Sequence, residues 1–322
     1  MIQTIIWVLV VLVILFVYLE FRFRKGKIKA EDEWQETSVE KIRDLGSTGS
    51  LEILPLIDWY TSRDDLKGEC GVSYLIKTDE NSILFDVGLN SENSDPSPLL
   101  HNMDHLGISI DDFDIIVISH NHQDHVGGMK WQMRKSFSLT TRQIDLGNKK
   151  AYTPIPMTYP GLDPVWTKDP AVIAKGIAVI GTIPNQLFFM GWTLEQSLAV
   201  NVEGKGIVLI VGCGHQTLPK IIDRTKDLFD EPLYGIIGGL HYPVTSGRGK
   251  IPIHQYVGTG KRPWTPITIK EVQENIDYLK KENPEFVALS GHDSCDVSIE
   301  AFRKAFPDAY KDVKVGEKII IS

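Results

Sequence analysis

The chain has 322 residues, 42% of them hydrophobic and 24% charged, and these globular proportions exclude a largely disordered protein. The formal net charge is −8, and without a large basic block the sequence excludes a nucleic-acid-binding face, so we expect no nucleic-acid partner. The cysteines are few, odd in number and widely spaced (Cys70, Cys213 and Cys295), which argues against a disulfide framework and favours a reducing compartment.

The first predicted element is an apolar run without charged residues, Ile2 to Leu19. As a helix this run nearly matches a hydrocarbon layer of about 30 Å, and Trp7 and Tyr18 lie where interfacial aromatic residues are favoured. A cleaved signal peptide is the main alternative, but the basic region before the run and the small-residue cleavage site after it are both missing. The sequence therefore predicts an uncleaved transmembrane helix within residues 1–21.

Basic residues follow this run directly, at positions 22, 24, 25, 27 and 29. Because positively charged flanks stay on the cytoplasmic side, we expect a single-pass membrane protein whose remaining chain faces the cytosol. Residues 22–50 are polar and end in GSTGS, which predicts a juxtamembrane helix or tether. Residues 51–322 form the predicted catalytic domain.

Strands and helices alternate through this domain. The predicted strands are 51–58, 72–78, 82–88, 113–119, 176–181, 186–190, 197–202, 206–212, 234–239, 286–290 and 318–322. The predicted helices are 97–108, 218–229, 268–281 and 297–306. Residues 151–170 contain five prolines and are predicted to form a loop without regular structure. β-rich segments followed by mixed ones in each half predict an α/β fold of two packed sheets with helices outside.

The segment SHNHQDHVGG (119–128) follows one predicted strand and contains three of the nine histidines. A strand that ends in a tight loop can point alternate side chains into one space, so His120 and His122 would bind one metal ion. Asp124 and His125 are displaced along the turn and suit a second ion about 3.5–4 Å away. Two glycines then let the backbone turn closely before a helix begins.

Three further histidines each follow an apolar strand and a glycine: His215 in VGCGH, His241 in GGLH and His292 in SGHDSC. Strand ends along one edge of a sheet lie close together in space, where ligands commonly bind. Each histidine alone is more typical of a core or loop position. The three together predict one pocket that holds divalent metal ions.

These motifs resemble the metallo-β-lactamase-fold hydrolase superfamily, whose signature is HxHxDH after a strand. VGCGH and GGLH are similar to one branch in particular, which includes an archaeal synthase of methanopterin biosynthesis. The resemblance covers roughly residues 51–322 and implies a four-layer αββα sandwich that carries two divalent metal ions. Zinc is the expected metal because imidazole dominates the ligand set, with iron and manganese as alternatives.

The resemblance also implies roles for individual residues. His120, His122 and His215 would bind the first metal, Asp124 and His125 the second, while His241 and His292 compete for the remaining place on the second. Asp86, in FDVG, would support the site by hydrogen bonds. Cys213 stands where many members carry a bridging aspartate, which leaves open whether both metals bind tightly. Glu195 is either an extra carboxylate or, with the greater weight, a residue of a solvated turn.

Three functions fit this pattern. The first is a membrane-held hydrolase that uses a metal-activated water, with Asp124 as the catalytic proton acceptor, on a phosphoester, ester or lactone of a small molecule. The second is a transferase that joins a pterin methyl diphosphate to an aminobenzene ribose phosphate. The third is a ligand-binding sensor that retains the metal pocket.

Two loops are predicted walls of the pocket. The loop from Tyr242 to Pro266 carries cations and aromatic rings that suit a phosphorylated, ring-containing substrate, although a solvated basic loop fits equally well. These residues are Arg248, Lys250, Tyr256, Lys261, Arg262 and Trp264. The proline-rich 151–170 segment, with Tyr152, Tyr159 and Trp166, is a second wall or, alternatively, an ordinary packed loop.

Overall fold

The computed structural model describes residues 1–245 and 254–322. Two β-sheets lie face to face, and helices cover the outer face of each sheet. This is the four-layer αββα sandwich that the sequence predicts.

The first sheet comes mainly from the N-terminal half of the domain. Its strands are β1 (Leu51–Ile57), β2 (Ser73–Thr78), β3 (Ser82–Phe85), β4 (Ile115–Val117), β5 (Lys150–Thr153), β6 (Val165–Trp166) and the last strand, β15 (Ile319–Ile321). Their order across the sheet is β15–β1–β2–β3–β4–β5–β6. Strands β3 to β6 run parallel, so the segments that follow β3 and β4 leave the sheet at the same edge.

The second sheet comes from the C-terminal half. Its strands are β7 (Ala171–Ala174), β8 (Ile177–Val179), β11 (Leu198–Val202), β12 (Gly206–Val211), β13 (Leu233–Gly238) and β14 (Phe286–Leu289), and β9 (Ile183–Leu187) and β10 (Gly191–Glu195) form a separate hairpin. The order across the sheet is β14–β13–β12–β11–β8–β7. Strands β12, β13 and β14 are parallel neighbours, so the segments after these three strands also share one edge.

The helices complete the outer layers. They are α1 (Ile2–Glu36), α2 (Pro98–His105), α3 (Gln123–Val126), α4 (Met129–Arg134), α5 (Leu218–Leu228), α6 (Ile269–Lys280) and α7 (Asp296–Ala305). Helix α6 begins with a capping box in which the side chains of Thr268 and Glu271 each bond the other residue's backbone N–H, the arrangement that satisfies otherwise unpaired groups at a helix start.

Alternation along β12 shows how the layers are built. Ile207, Leu209 and Val211 pack against the core beneath α5, α6 and α7. Val208 and Ile210 face the opposite way, into the core between the two sheets. Successive side chains of a strand point to opposite faces, so a strand buried on both sides is apolar throughout.

Helix α1 differs from the expected anchor and tether in its continuity. It runs unbroken to Glu36, and its second half packs on the β9–β10 hairpin, where Phe23, Gly26 and Ala30 are buried. A Cβ atom added at Gly26 would lie 2.2 Å from Oε1 of Gln186, so glycine permits this close approach. Part of the predicted tether is therefore a docked helix, while the boundaries at residues 21 and 50 stay predictions.

Two sequence predictions were wrong in detail. Residues 151–170 are not free of regular structure, because β5 extends to Thr153 and β6 occupies Val165–Trp166. The predicted strand at 186–190 is instead the end of β9 and the turn that leads into β10. Strand β6 pairs with β5 across the proline-rich loop, a contact that local patterns do not reveal. The second prediction failed because the apolar residues 188–190 form the turn of the β9–β10 hairpin.

Candidate metal centre

The predicted site residues meet between the two sheets, at the ends of parallel strands. His120 follows β4, and Cys213 and His215 follow β12, while His241 and His292 follow β13 and β14. His120 and Glu195 form an isolated antiparallel bridge that joins the HxHxDH loop to β10. The strand order therefore brings together residues that lie far apart in the chain.

His120, His122 and His215 form the first group. Nδ1 of His122 lies 3.2 Å from Nε2 of His215, and the ring centres of the three histidines are 4.6 to 4.9 Å apart. Within the described residues, Nε2 of His120 is buried and has no hydrogen-bond partner. A buried ring nitrogen without a partner is costly unless something binds it, and a metal ion fits this position.

Asp124, His125, Cys213 and His292 form the second group, with one potential ligand atom each within 4.8 Å of the others. The Cys213 sulfur lies 3.1 Å from Nε2 of His125 and 3.2 Å from Nε2 of His292. It also lies within that range of ligand atoms of His120 and His215. Cys213 is thus adjacent to both groups, where the resemblance places a bridging residue.

His241 has a different setting from His292. Its Nε2 lies 2.7 Å from the carbonyl oxygen of Val257, and its backbone N–H donates to Asp293. It can share a metal with Cys213 and Asp293 rather than with Asp124 and His125. The geometry favours His292 for the second group, and the assignment of ligands to individual metals stays a prediction.

Asp86 lies behind the site rather than in it. Its carboxylate accepts hydrogen bonds from the backbone N–H and the hydroxyl of Ser119, at 2.7 and 2.6 Å. It also lies 2.7 Å from Nδ1 of His125. A bond at Nδ1 orients the ring and leaves Nε2 facing the second group, which is the usual role of a carboxylate behind a metal-binding histidine.

The sequence analysis did not identify a second series of hydrogen bonds that supports the site, the one behind His292. Nδ1 of His292 lies 2.7 Å from the hydroxyl of Ser290, which donates to Asp58 at 2.6 Å. Asp58 also accepts from the Tyr74 hydroxyl at 2.8 Å, and burial raises the pKa of its carboxyl. The signal available in the sequence was an aspartate directly after the apolar run LEILPLI.

The interpretation of Glu195 as a residue of a solvated turn was wrong. Its side chain is fully buried and accepts backbone N–H groups of Cys213, Gly214 and His215, at 2.8, 2.9 and 2.7 Å. Burial raises the pKa of Glu195 to about 7. Glu195 therefore shapes the loop that presents Cys213 and His215, because one carboxylate holds three consecutive amides.

Replacing Glu195 with glutamine should weaken metal binding about 10- to 100-fold, the usual cost of losing a group that positions ligands. The amide NH₂ of glutamine would face N–H donors, so part of the loop loses its acceptor. The measurement is retained metal after dialysis against graded zinc buffers, with the exposed Glu203→Gln as the matched control. Metal retention equal to that of the control would contradict this role.

The electrostatic environment keeps most of the imidazoles neutral. Burial and the neighbouring imidazoles lower the pKa of His120 and of His215, and burial lowers the pKa of His122 to about 4. His125 differs: burial opposes its charge, but the carboxylates of Asp124 and Asp86 raise its pKa. Neutral imidazole is the form that binds metal, so the first group is in that form already.

A model of the metallo-beta-lactamase superfamily matches residues 70–136, which include the whole HxHxDH motif. Residues 70–136 belong to a metallo-beta-lactamase superfamily domain. This confirms the resemblance found in the sequence.

Solved structures agree on the fold of this metallo-beta-lactamase domain. A metal-dependent hydrolase of the beta-lactamase superfamily, Tm1679, is 19% identical with a TM-score of 0.57, and the match covers 84% of this chain and 99% of that one. YhfI of Bacillus subtilis, a metallo-beta-lactamase fold protein, is 11% identical with a TM-score of 0.51 over 85% of this chain and 100% of its own. At these identities the likeness shows the fold alone.

Among curated proteins, the chain is similar to a synthase of Methanocaldococcus jannaschii. That protein is the 7,8-dihydropterin-6-methyl-4-(beta-D-ribofuranosyl)-aminobenzene-5'-phosphate synthase, and it is 25% identical over 62% of this chain and 80% of its own length. An uncharacterized protein of the same archaeon is 26% identical over 53% of this chain and 72% of its own length.

The cavity of the metallo-beta-lactamase domain has a volume of about 200 Å³. Its lining includes the apolar side chains of Leu89, Met190 and Val257. It also includes His122 and His215 of the first group and Asp124, Cys213 and His292 of the second. Asp124 and His122 are on its wall, so a substrate in the cavity would meet the HxHxDH loop directly.

Most of the residues that were predicted to form a pocket wall in the loop from Tyr242 to Pro266 do not line the described cavity. Lys261 pairs with Glu271 and Arg262 with Glu20; neither cation lines the described cavity. Trp264 and Tyr256 are also outside its lining, and Arg248 and Lys250 lie outside the described residues. A phosphorylated substrate therefore stays a prediction.

The proline-rich segment is a packed loop rather than a second wall. The Tyr159 hydroxyl donates to the carbonyl oxygen of Ile144, and its ring packs on Phe137. Trp166 donates to the carbonyl oxygen of Pro154. In the described structure, the cavity lining contains none of the three aromatic residues Tyr152, Tyr159 and Trp166. The alternative of an ordinary packed loop therefore describes this segment.

Proposed function

We propose that this chain is a metal-dependent hydrolase that directs an activated water at a phosphoester, ester or lactone bond of a small molecule. We also propose that α1 anchors it in a membrane with the domain on the cytoplasmic side. The supporting observation is the convergence of His120, His122 and His215 beside Asp124 and His125. Three of these residues, His122, Asp124 and His215, line one cavity.

The side chains present fit a divalent metal. The first group offers three imidazoles, and the unpartnered, buried Nε2 of His120 points to a ligand at that position. The second group adds a carboxylate, two imidazoles and a thiol. Nitrogen and sulfur ligands favour zinc, and we propose about two zinc ions per chain, with iron or manganese as alternatives.

A divalent ion held here would acidify a bound water, so that hydroxide is available near neutral pH. The protein's own contribution is positioning and proton transfer. The Asp124 side chain is part of the cavity wall, and its Oδ2 lies 3.4 Å from Nε2 of His125. Its carboxylate can therefore orient a water molecule towards a substrate and accept the proton that the water loses. Asp86 orients the ring of His125 directly, and Asp58 orients the ring of His292 through the Ser290 hydroxyl.

The likeness to the archaeal synthase supports a second candidate, a transferase that joins two ring-containing substrates. The cavity of about 200 Å³ is below the usual 300–1,000 Å³ of pockets that hold drug-sized ligands. Two ring systems would need more room than the described cavity offers. We therefore favour hydrolysis of a bond presented at the cavity mouth.

The test uses the full chain, purified in detergent, for elemental analysis and a substrate panel. We expect tightly bound zinc and turnover of phosphodiester, ester or lactone probes. Product formed only when a pterin and an aminobenzene compound are supplied together would favour the transferase. Retained metal with no turnover of any probe would contradict hydrolysis and favour a ligand-binding sensor.

A further inference from the structure

The apolar part of α1 ends where the domain begins to cover the helix. Phe16 and Tyr18 are exposed, whereas Phe23 is buried. Helix α1 is long and apolar enough to cross a membrane. In a bilayer, the boundary between hydrocarbon and headgroups would therefore lie close to residues 19–22.

Aromatic side chains of the domain meet the helix at this level. The ring of Phe16 lies 5.4 Å from that of Trp264, which lies 5.4 Å from the ring of Phe188. The guanidinium of Arg22 donates to the carbonyl oxygens of Phe188 and Phe189, at 2.8 and 3.0 Å. The turn between β9 and β10 is thus fixed at the height where interfacial aromatic residues are favoured.

The same turn forms part of the mouth of the metal cavity. Phe189 and Met190 are 48% and 38% exposed, and Met190 also lines the cavity. Further along β10, the hydroxyl of Thr193 lies 3.4 Å from Nε2 of His122. Only a few residues therefore separate the turn, which lies at the level of the membrane surface, from the first group of metal-site histidines.

A second segment makes the same connection. The Gly258 carbonyl oxygen lies 2.8 Å from Nδ1 of His215, and the chain then reaches Trp264 beside Phe16. Helix α1 itself contributes Lys27, which donates to Asn185 at 2.8 Å, and Asn185 donates to the carbonyl oxygen of His215 at 2.5 Å. The β9–β10 turn and the 258–264 segment, on the two sides of the cavity mouth, thus both contact α1.

We propose that the cavity opens at the bilayer surface and takes an amphiphilic substrate, a lipid-like ester or phosphoester, directly from the membrane. This rests on the proposed function and names its substrate class. A cavity of about 200 Å³ accommodates the scissile group but not a long chain. The exposed side chains of Phe189 and Met190 give the apolar chain a surface to contact while that chain stays in the hydrocarbon.

The position of the mouth is tested without any activity measurement. A fluorophore is attached to Phe189→Cys in the full chain, reconstituted in vesicles whose lipids carry nitroxide on the acyl chain. Ile320→Cys, an exposed apolar position on β15, is the matched control, and mock-labelled wild type corrects for the native cysteines. We expect lipid nitroxides to quench the label at 189 and aqueous iodide to quench the label at 320. A label at 189 that iodide quenches and lipid nitroxides do not would overturn the proposal.

The substrate class is tested with two probes that share one scissile bond, a short-chain soluble form and a long-chain form in vesicles. We expect kcat/KM to favour the vesicle-borne form. Replacing Phe189 with serine should reduce that preference about tenfold, since moving a phenylalanine ring from water into hydrocarbon contributes roughly that factor or more. Ile320→Ser should leave the preference unchanged.

The outcomes separate the two proposals. Equal kcat/KM for both probes would overturn membrane entry while leaving hydrolysis intact. Quenching at position 189 with no turnover of either probe would contradict hydrolysis and still support the placement of the mouth at the bilayer.

Discussion

Replacing Asp124 with alanine is expected to lower kcat by about 10²- to 10⁴-fold, the usual contribution of a positioned general base. The Asp124 carboxylate is on the cavity wall beside Nε2 of His125. Asp124 is a residue of the HxHxDH loop and a member of the second group. The measurement is kcat on whichever probe the wild type hydrolyses, together with the metal content of the variant.

The matched control for this prediction is Asp104→Ala. Asp104 belongs to α2 and its side chain is 89% exposed, so its removal should leave kcat unchanged. Asp124→Asn, which retains the shape and one oxygen, should keep more metal than Asp124→Ala but still lose most of the rate. Wild-type kcat in either Asp124 variant would contradict a role for this carboxylate in proton transfer.

The clustering of the site residues was predictable from the sequence because the carboxyl ends of parallel strands lie at the same edge of a sheet. Once β12, β13 and β14 are identified as apolar runs, the segments after them must leave the sheet at one edge. Cys213 and His292 follow two of these strands and meet at 3.2 Å. The HxHxDH motif supplied the remaining side chains, and the superfamily model covers that motif.

The supporting residues were not predictable in the same way. Glu195 contacts a loop 18 to 20 residues further along the chain, and Asp58 bonds Ser290 across 232 residues. A carboxylate with these roles has no local pattern that separates it from a solvated one. Their roles depend on partners that the fold brings from distant segments, the backbone amides of residues 213–215 for Glu195 and the hydroxyl of Ser290 for Asp58.

The N-terminal helix was also predictable only in part. Its apolar run is readable from composition alone, but its docking on the hairpin depends on small residues such as Gly26 and on the Lys27 to Asn185 hydrogen bond. A shortened chain that keeps the docked half of the helix should therefore begin before Arg22. Removal of residues 22–29 would expose the hairpin surface that Phe23 and Gly26 cover.

Removing the metal should lower the melting temperature of the protein substantially. A ligand present at about 1,000 times its Kd stabilises the folded state by about 4 kcal/mol, and each kcal/mol shifts the melting temperature of a large domain by about 2–4 °C. We therefore expect a fall of roughly 8–16 °C on treatment with a chelator, reversed by zinc. Intrinsic tryptophan fluorescence during heating is the measurement.

Two variants show whether this shift comes from the site. His120→Ala removes a predicted metal ligand whose Nε2 is buried and has no protein partner in the described structure, so the melting temperature of this variant should respond little to the chelator. His105→Ala, on α2 and outside both metal groups, should retain the full shift. Equal shifts in both variants would place the stabilising ion elsewhere, because an ion bound by the first group must lose affinity when one of its three imidazoles is removed.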